Sequence, residues 1–195
     1  MTDKKFKGKV YLVHGWDGNP EEPMFKWIGD RFIEKGFEFI ASKMPNPEEP
    51  KINDWLNKLK EVVNEIDGDT IFIGHSVGCQ AILRYIETLD NIKIGKLFLI
   101  APWMKLDQTT IEEEGEEVIE IARPWMEIPI NFEKVRKACG EIICFFSDND
   151  VYVPLSEEEF FKENLNAKTM VLSKRGHFDP HSGIKDLPEI LEFIK

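Results

Sequence analysis

Gly74-His75-Ser76-Val77-Gly78 sets a serine between two glycines, each two residues away. The apolar run Thr70-Ile71-Phe72-Ile73 precedes it, and Cys79-Gln80-Ala81-Ile82-Leu83-Arg84-Tyr85-Ile86 follows. This pattern predicts a strand, a tight turn and a helix, with the serine at the apex. A serine hydroxyl is a weak nucleophile and reacts only where a base can reach it. Holding it clear of the fold strains the backbone, and glycines on both sides remove the Cβ atoms that would clash as strand and helix close. The helix N-terminus below adds N–H groups and partial positive charge where an oxyanion would form. The arrangement is that of a nucleophile elbow, in which the partners follow in the order serine, acid, histidine.

The chain has four histidines. His14 and His75 precede the serine and fail that order. His177 follows a short apolar segment, Lys168-Thr169-Met170-Val171-Leu172, in the loop Ser173-Lys174-Arg175-Gly176-His177-Phe178. A base on the loop after the last strand is expected, so His177 is preferred to His181, which has no strand directly before it. The acid must lie between serine and base. Glu141-Ile142-Ile143-Cys144-Phe145-Phe146-Ser147 reads as a strand buried on both faces. Asp148 and Asp150 stand just beyond it, and either carboxylate could orient an imidazole.

Beyond these residues the chain resembles the small serine hydrolases of the α/β-hydrolase superfamily. More closely, it is similar to the compact family that includes the retinoblastoma-binding hydrolase. The matching pieces are Val13-His14-Gly15-Trp16, Met44-Pro45-Asn46-Pro47, Ile73-Gly74-His75-Ser76, Arg123-Pro124-Trp125, Asp150-Val151-Tyr152-Val153-Pro154 and Gly176-His177-Phe178. They span nearly the whole chain. The resemblance implies Ser76, Asp150 and His177 as a triad, because the family's acid stands four residues before the proline. It implies two backbone N–H donors for an oxyanion: Val77, after the nucleophile, and Trp16, in the loop after the first strand. The partner-binding Leu-x-Cys-x-Glu motif of that family is not matched. Lys137-Ala138-Cys139-Gly140-Glu141 has lysine where leucine is required, so binding to a retinoblastoma-type pocket is not implied.

The elements that must position these residues alternate. Strands are expected at residues 9–14, 37–42, 70–74, 96–101, 141–147 and 168–173. Helices are expected at 25–35, 52–66, 77–89, 132–138, 155–165 and 187–194. Six strands with helices between them call for a mostly parallel sheet with right-handed crossovers, an α/β three-layer sandwich. Ligands bind outside the carboxyl ends of such strands, where the serine, the acid and the histidine all fall. At 195 residues the chain reads as one domain, 1–195. The span 102–130 interrupts the alternation. It carries Trp103, Met104, Trp125, Met126 and Ile128 beside a run of glutamates. An insertion there can cap the serine, with Trp103, Trp125 and Met126 lining a substrate pocket, or can simply pack into the core.

Hydrophobic residues make up 42% and charged residues 31% of the chain, an ordinary soluble composition. A net charge of -11 argues against nucleic acid and anionic membrane surfaces, which call for basic patches. Three cysteines without paired spacing suggest reduced thiols and a cytoplasmic setting. The start of the chain is basic but has no apolar stretch of a secretory leader, and no run approaches a membrane span. No cofactor is expected. The glycines near residue 15 lack the Gly-Lys-Ser/Thr of a phosphate loop. His177 and His181 enclose a proline with no glutamate after the first, which argues against metal. The reading is a hydrolase of a small carboxylic ester, thioester or amide, working through an acyl-enzyme. An interaction module on the same fold, with little turnover, is the alternative.

Overall fold

The computed structural model describes residues 6–194. The first residues, 1–5, which carry part of the argument against a leader, lie outside the described residues. Six strands, β1 (Lys9–Val13), β2 (Glu38–Ala41), β3 (Ile71–His75), β4 (Ile94–Ile100), β5 (Cys139–Ser147) and β6 (Lys168–Leu172), form one sheet in the order β2-β1-β3-β4-β5-β6. Every neighbouring pair is parallel, so the sheet is wholly parallel rather than mostly so. The helices are α1 (Pro23–Glu34), α2 (Ile52–Val62), α3 (Val77–Glu87), α4 (Gln108–Glu114), α5 (Glu116–Glu127), α6 (Phe132–Ala138) and α7 (Ser156–Leu165).

Alternation along the strands sorts the core into two faces. Phe72 of β3 meets Tyr85 of α3, and Phe146 of β5 meets Phe161 of α7. On the opposite face Phe98 of β4 touches Phe32 of α1 and Phe193 near the C-terminus. Helices α2, α3, α6 and α7 pack side by side in sequence. The central strands are buried on both faces, which is why β3 and β5 read as unbroken apolar runs.

Most elements fall within two residues of the expected bounds, and two differ by more than that or in type. Helix α2 ends at Val62 and not at 66, because the chain turns extended at Val63 and the next residues are held by β1: Tyr11 Oη lies 3.3 Å from both Asn64 Oδ1 and the Glu65 carbonyl. The closing segment is a 3-10 helix, Pro188–Phe193, not an α-helix. Its six residues are too few to hold an α-helix by themselves, and the three-residue repeat aims Leu187 and Ile190, both fully buried, at the core. The span 102–130 is largely ordered as α4 and α5, hinged at Gly115 with φ 104°.

Candidate active site

The elbow is built as its sequence requires. Ser76 stands between β3 and α3 with φ 52° and ψ −125°, a region disfavoured for any side-chain-bearing residue. Its N–H donates to the Ile100 carbonyl of β4 at 2.9 Å, and its own carbonyl accepts from Cys79 N–H at 2.9 Å. A Cβ on Gly74 would lie 2.7 Å from the Cys79 Cα, and one on Gly78 would lie 2.4 Å from the His14 carbonyl oxygen. Neither space admits alanine, so both glycines are demanded by close backbone approach. Val77 opens α3, and its N–H therefore has no acceptor within the helix.

Across the cavity, the 148–153 turn holds a carboxylate. Asp150 Oδ1 accepts from the N–H groups of Tyr152 and Val153 at 2.9 and 3.1 Å, and Oδ2 lies 2.9 Å from His177 Nδ1. The Asp150 side chain is 1% exposed and that of His177 12%. Nδ1–H thus donates to the carboxylate, which leaves Nε2 with its lone pair free to accept a proton. Asp148 is engaged elsewhere: its Oδ1 accepts from Lys174 N–H at 2.7 Å. Asn149 Oδ1 takes the Gly176 N–H at 2.8 Å, so residues 148 and 149 clamp the loop that carries His177. Phe178, fully buried at φ 57°, marks the strain in that loop. Ser76 Oγ accepts a hydrogen bond from the Trp103 indole N–H at 3.3 Å and, among the described residues, donates none to His177 Nε2.

The two histidines that fail the order rule brace the site. His75 is 4% exposed, and its Nε2 lies 2.7 Å from the His177 carbonyl oxygen. As a donor it ties the elbow to the base loop. Burial, reinforced by His177, pushes its pKa down to about 4. His14 Nε2 accepts the Met44 N–H at 2.9 Å, so its proton sits on Nδ1, 2.8 Å from the Gly15 carbonyl. Burial lowers the pKa of His14 as well. Only their neighbours in space reveal these roles. Nothing in the linear order marks them.

A cavity of about 410 Å³ opens over Ser76 and is bordered by Gly15, Trp16, His75, Trp103, Tyr152, His177 and His181, among others. From the 102–130 span it takes Trp103, Leu106, Ile111, Glu114 and Val118. Trp125 and Met126, expected as pocket residues, do not border it. Trp125 is 1% exposed in the core, its indole N–H donating to the Pro50 carbonyl at 2.9 Å and its ring edge-on to Trp55. Met126 packs half-buried against the same core. Sequence reading missed Asp17, Glu22 and Asp179, which with Glu114 of the glutamate run bring four carboxylates to the cavity with no lysine or arginine among its lining residues. Glu22 is 8% exposed, and burial raises its pKa. Among the described residues no group of three or more His, Cys, Asp or Glu side chains is arranged to hold a metal, and no helix is long and apolar enough to cross a membrane.

An open parallel sheet, a strained serine between strand and helix, and a histidine on the loop after the last strand define an α/β-hydrolase. Residues 10–195 match the serine hydrolase family, and the chain belongs to it. It is 30% identical over 173 residues to the serine hydrolase RBBP9 of Rattus norvegicus, covering 88% of this chain and 82% of that one. It is 25% identical over 187 residues to YdeN of Bacillus subtilis, covering 95% and 94%. The crystal structure of the B. subtilis ydeN product superposes with a TM-score of 0.86, at 24% identity and 96% coverage of both chains. Est1E of Butyrivibrio proteoclasticus, solved with ferulic acid bound, superposes with a TM-score of 0.70 at 17% identity, covering 92% of this chain and 84% of that one. The protein is therefore a hydrolase.

Proposed function

We propose that this hydrolase cleaves small carboxylic esters through Ser76, His177 and Asp150, with 1–195 acting as one catalytic domain and 102–130 as its cap. The observation that carries this reading is the part-buried Asp150–His177 pair at 2.9 Å, whose histidine borders the cavity that also holds Ser76. His177 Nε2 takes the Ser76 proton as Oγ attacks the acyl carbon. The oxyanion is held by the N–H groups of Val77 and Trp16, and each such donor is worth about two to three powers of ten in rate. His177 then protonates the leaving alkoxide, and water repeats the sequence on the acyl-enzyme. Thioesters and amides undergo the same steps. No metal or cofactor enters the scheme. The substrate is a small molecule in this reading, and neither nucleic acid nor a membrane surface takes part.

The four cavity carboxylates favour neutral acyl groups over anionic ones. The test is a panel of 4-nitrophenyl esters. Short neutral acyl chains should turn over with kcat/KM at least about tenfold above a chain ending in a carboxylate, with the gap narrowing as salt is added. Absence of turnover on every neutral ester would remove the ester reading. Equal rates on neutral and anionic chains would remove the charge argument.

A further inference from the structure

Trp103 lies closer to the reacting atom than any cap residue needs to. Its side chain is buried, and its indole Nε1 stands 3.3 Å from Ser76 Oγ. The backbone that carries the ring is held from several sides. Ala101, at φ 48°, turns the chain as it leaves β4. Gln80 Nε2 donates to the Trp103 carbonyl at 2.9 Å, and buried Glu157 accepts the Met104 N–H at 2.5 Å. Gln80 is in turn held by Arg84, whose Nη2 donates to Gln80 Oε1 at 3.0 Å and to the carbonyls of Trp125 and Ile128 at 3.0 and 2.7 Å. A donor fixed this firmly needs no reorganisation when charge appears beside it.

The chemistry follows from what an indole can do. It donates and never accepts, so Ser76 Oγ must accept its hydrogen bond while the serine O–H is free to point elsewhere. In the acyl-enzyme Oγ is an ester oxygen, a poor acceptor. As that ester breaks, Oγ gathers the negative charge of a departing alkoxide, and the same hydrogen bond becomes charge-assisted and stronger. A group that binds the transition state better than the intermediate before it is a catalyst of that step.

We infer that Trp103 is a catalytic residue for deacylation, its indole N–H assisting the departure of Ser76 Oγ from the acyl group. This rests on Ser76 being the nucleophile. In the step, the oxygen of water bonds to the acyl carbon and His177 Nε2 takes its proton. The C–Oγ bond then breaks, and Oγ receives that proton from His177 as the carboxylic acid leaves. Trp103 keeps its own proton throughout.

The experiment is stopped-flow hydrolysis of 4-nitrophenyl acetate by Trp103→Phe, which keeps the ring and removes the N–H, alongside its rate of reaction with a fluorophosphonate. The variant should be phosphonylated within about threefold of the wild-type rate, release a burst near one nitrophenolate per site, and then turn over about tenfold more slowly. Unchanged turnover, or equal losses in attack and deacylation, would overturn the inference. Ser76→Ala separates the two claims: if it loses all labelling while Trp103→Phe behaves as wild type, only the role of Trp103 fails. If Ser76→Ala labels fully, both fail. Should Trp103→Phe not fold, the wild type still decides. Its Trp103 indole proton resonance should move upfield on phosphonylation, and an unmoved resonance contradicts the assignment.

Discussion

Asp148 and Asp150 are two residues apart and serve different neighbours. The Asp150 carboxylate bridges two backbone N–H groups and His177 Nδ1, whereas Asp148 holds the N–H of Lys174. Asp150→Asn should therefore lower kcat on one activated ester by about 10⁴, the magnitude known for the serine-protease triad. Asp148→Asn should leave kcat nearly intact and lower the melting temperature. The reverse ranking would move the acid to Asp148. His75 gives a prediction of a different kind. Its pKa in the folded protein is about 4 against 6.5 for a free histidine, so between those values the unfolded chain binds a proton that the folded chain rejects. Its contribution to stability is complete above 6.5 and is lost as pH falls toward about 4, to a limit of roughly 3 kcal/mol. His75→Gln keeps an N–H donor but cannot titrate, and its melting temperature should fall less than that of the wild type across this window. Parallel curves for the two proteins would sink the argument. Ser76, His177 and the Asp148/Asp150 pair were legible in sequence as candidates because each follows a strand in a known order, and the choice of Asp150 came from the family resemblance. The bracing roles of His75 and His14 were not, because their partners, His177 and Met44, lie 102 and 30 residues away.

At the scale of elements, the central strands were legible for a physical reason: a strand buried on both faces is an unbroken apolar run, whereas the half-buried edge strands β2 and β6 showed only as short apolar segments. The 102–130 span was harder to read. Val118, Ala122 and Trp125 lie on one stripe of α5, yet Val118 borders the cavity while Ala122 and Trp125 are buried in the core. Periodicity finds such a stripe but does not say where it passes from core to cavity. Trp125→Ala should consequently cost about 3–5 kcal/mol of stability, measured by denaturant unfolding, with acyl-chain preference unchanged. An altered chain preference at unchanged stability would return Trp125 to the pocket wall.

For the molecule as a whole, the parallel sheet brings the carboxyl ends of β3, β5 and β6 to one edge, where Ser76 and His177 border one cavity and Asp150 lies 2.9 Å from His177 Nδ1. The acidic excess of the chain, -11 overall, continues into the cavity through Asp17, Glu22, Glu114 and Asp179. Composition announced the first; of the second, the glutamate run marked Glu114, and the fold adds Asp17, Glu22 and Asp179. The account stands on one covalent event at the centre of this arrangement. Incubating the protein with a fluorophosphonate and mapping the adduct by peptide mass spectrometry tests it most directly. The account predicts one phosphonyl group per chain, on Ser76, and none on a folded Ser76→Ala variant. An adduct on another residue, or full labelling of that variant, would contradict it.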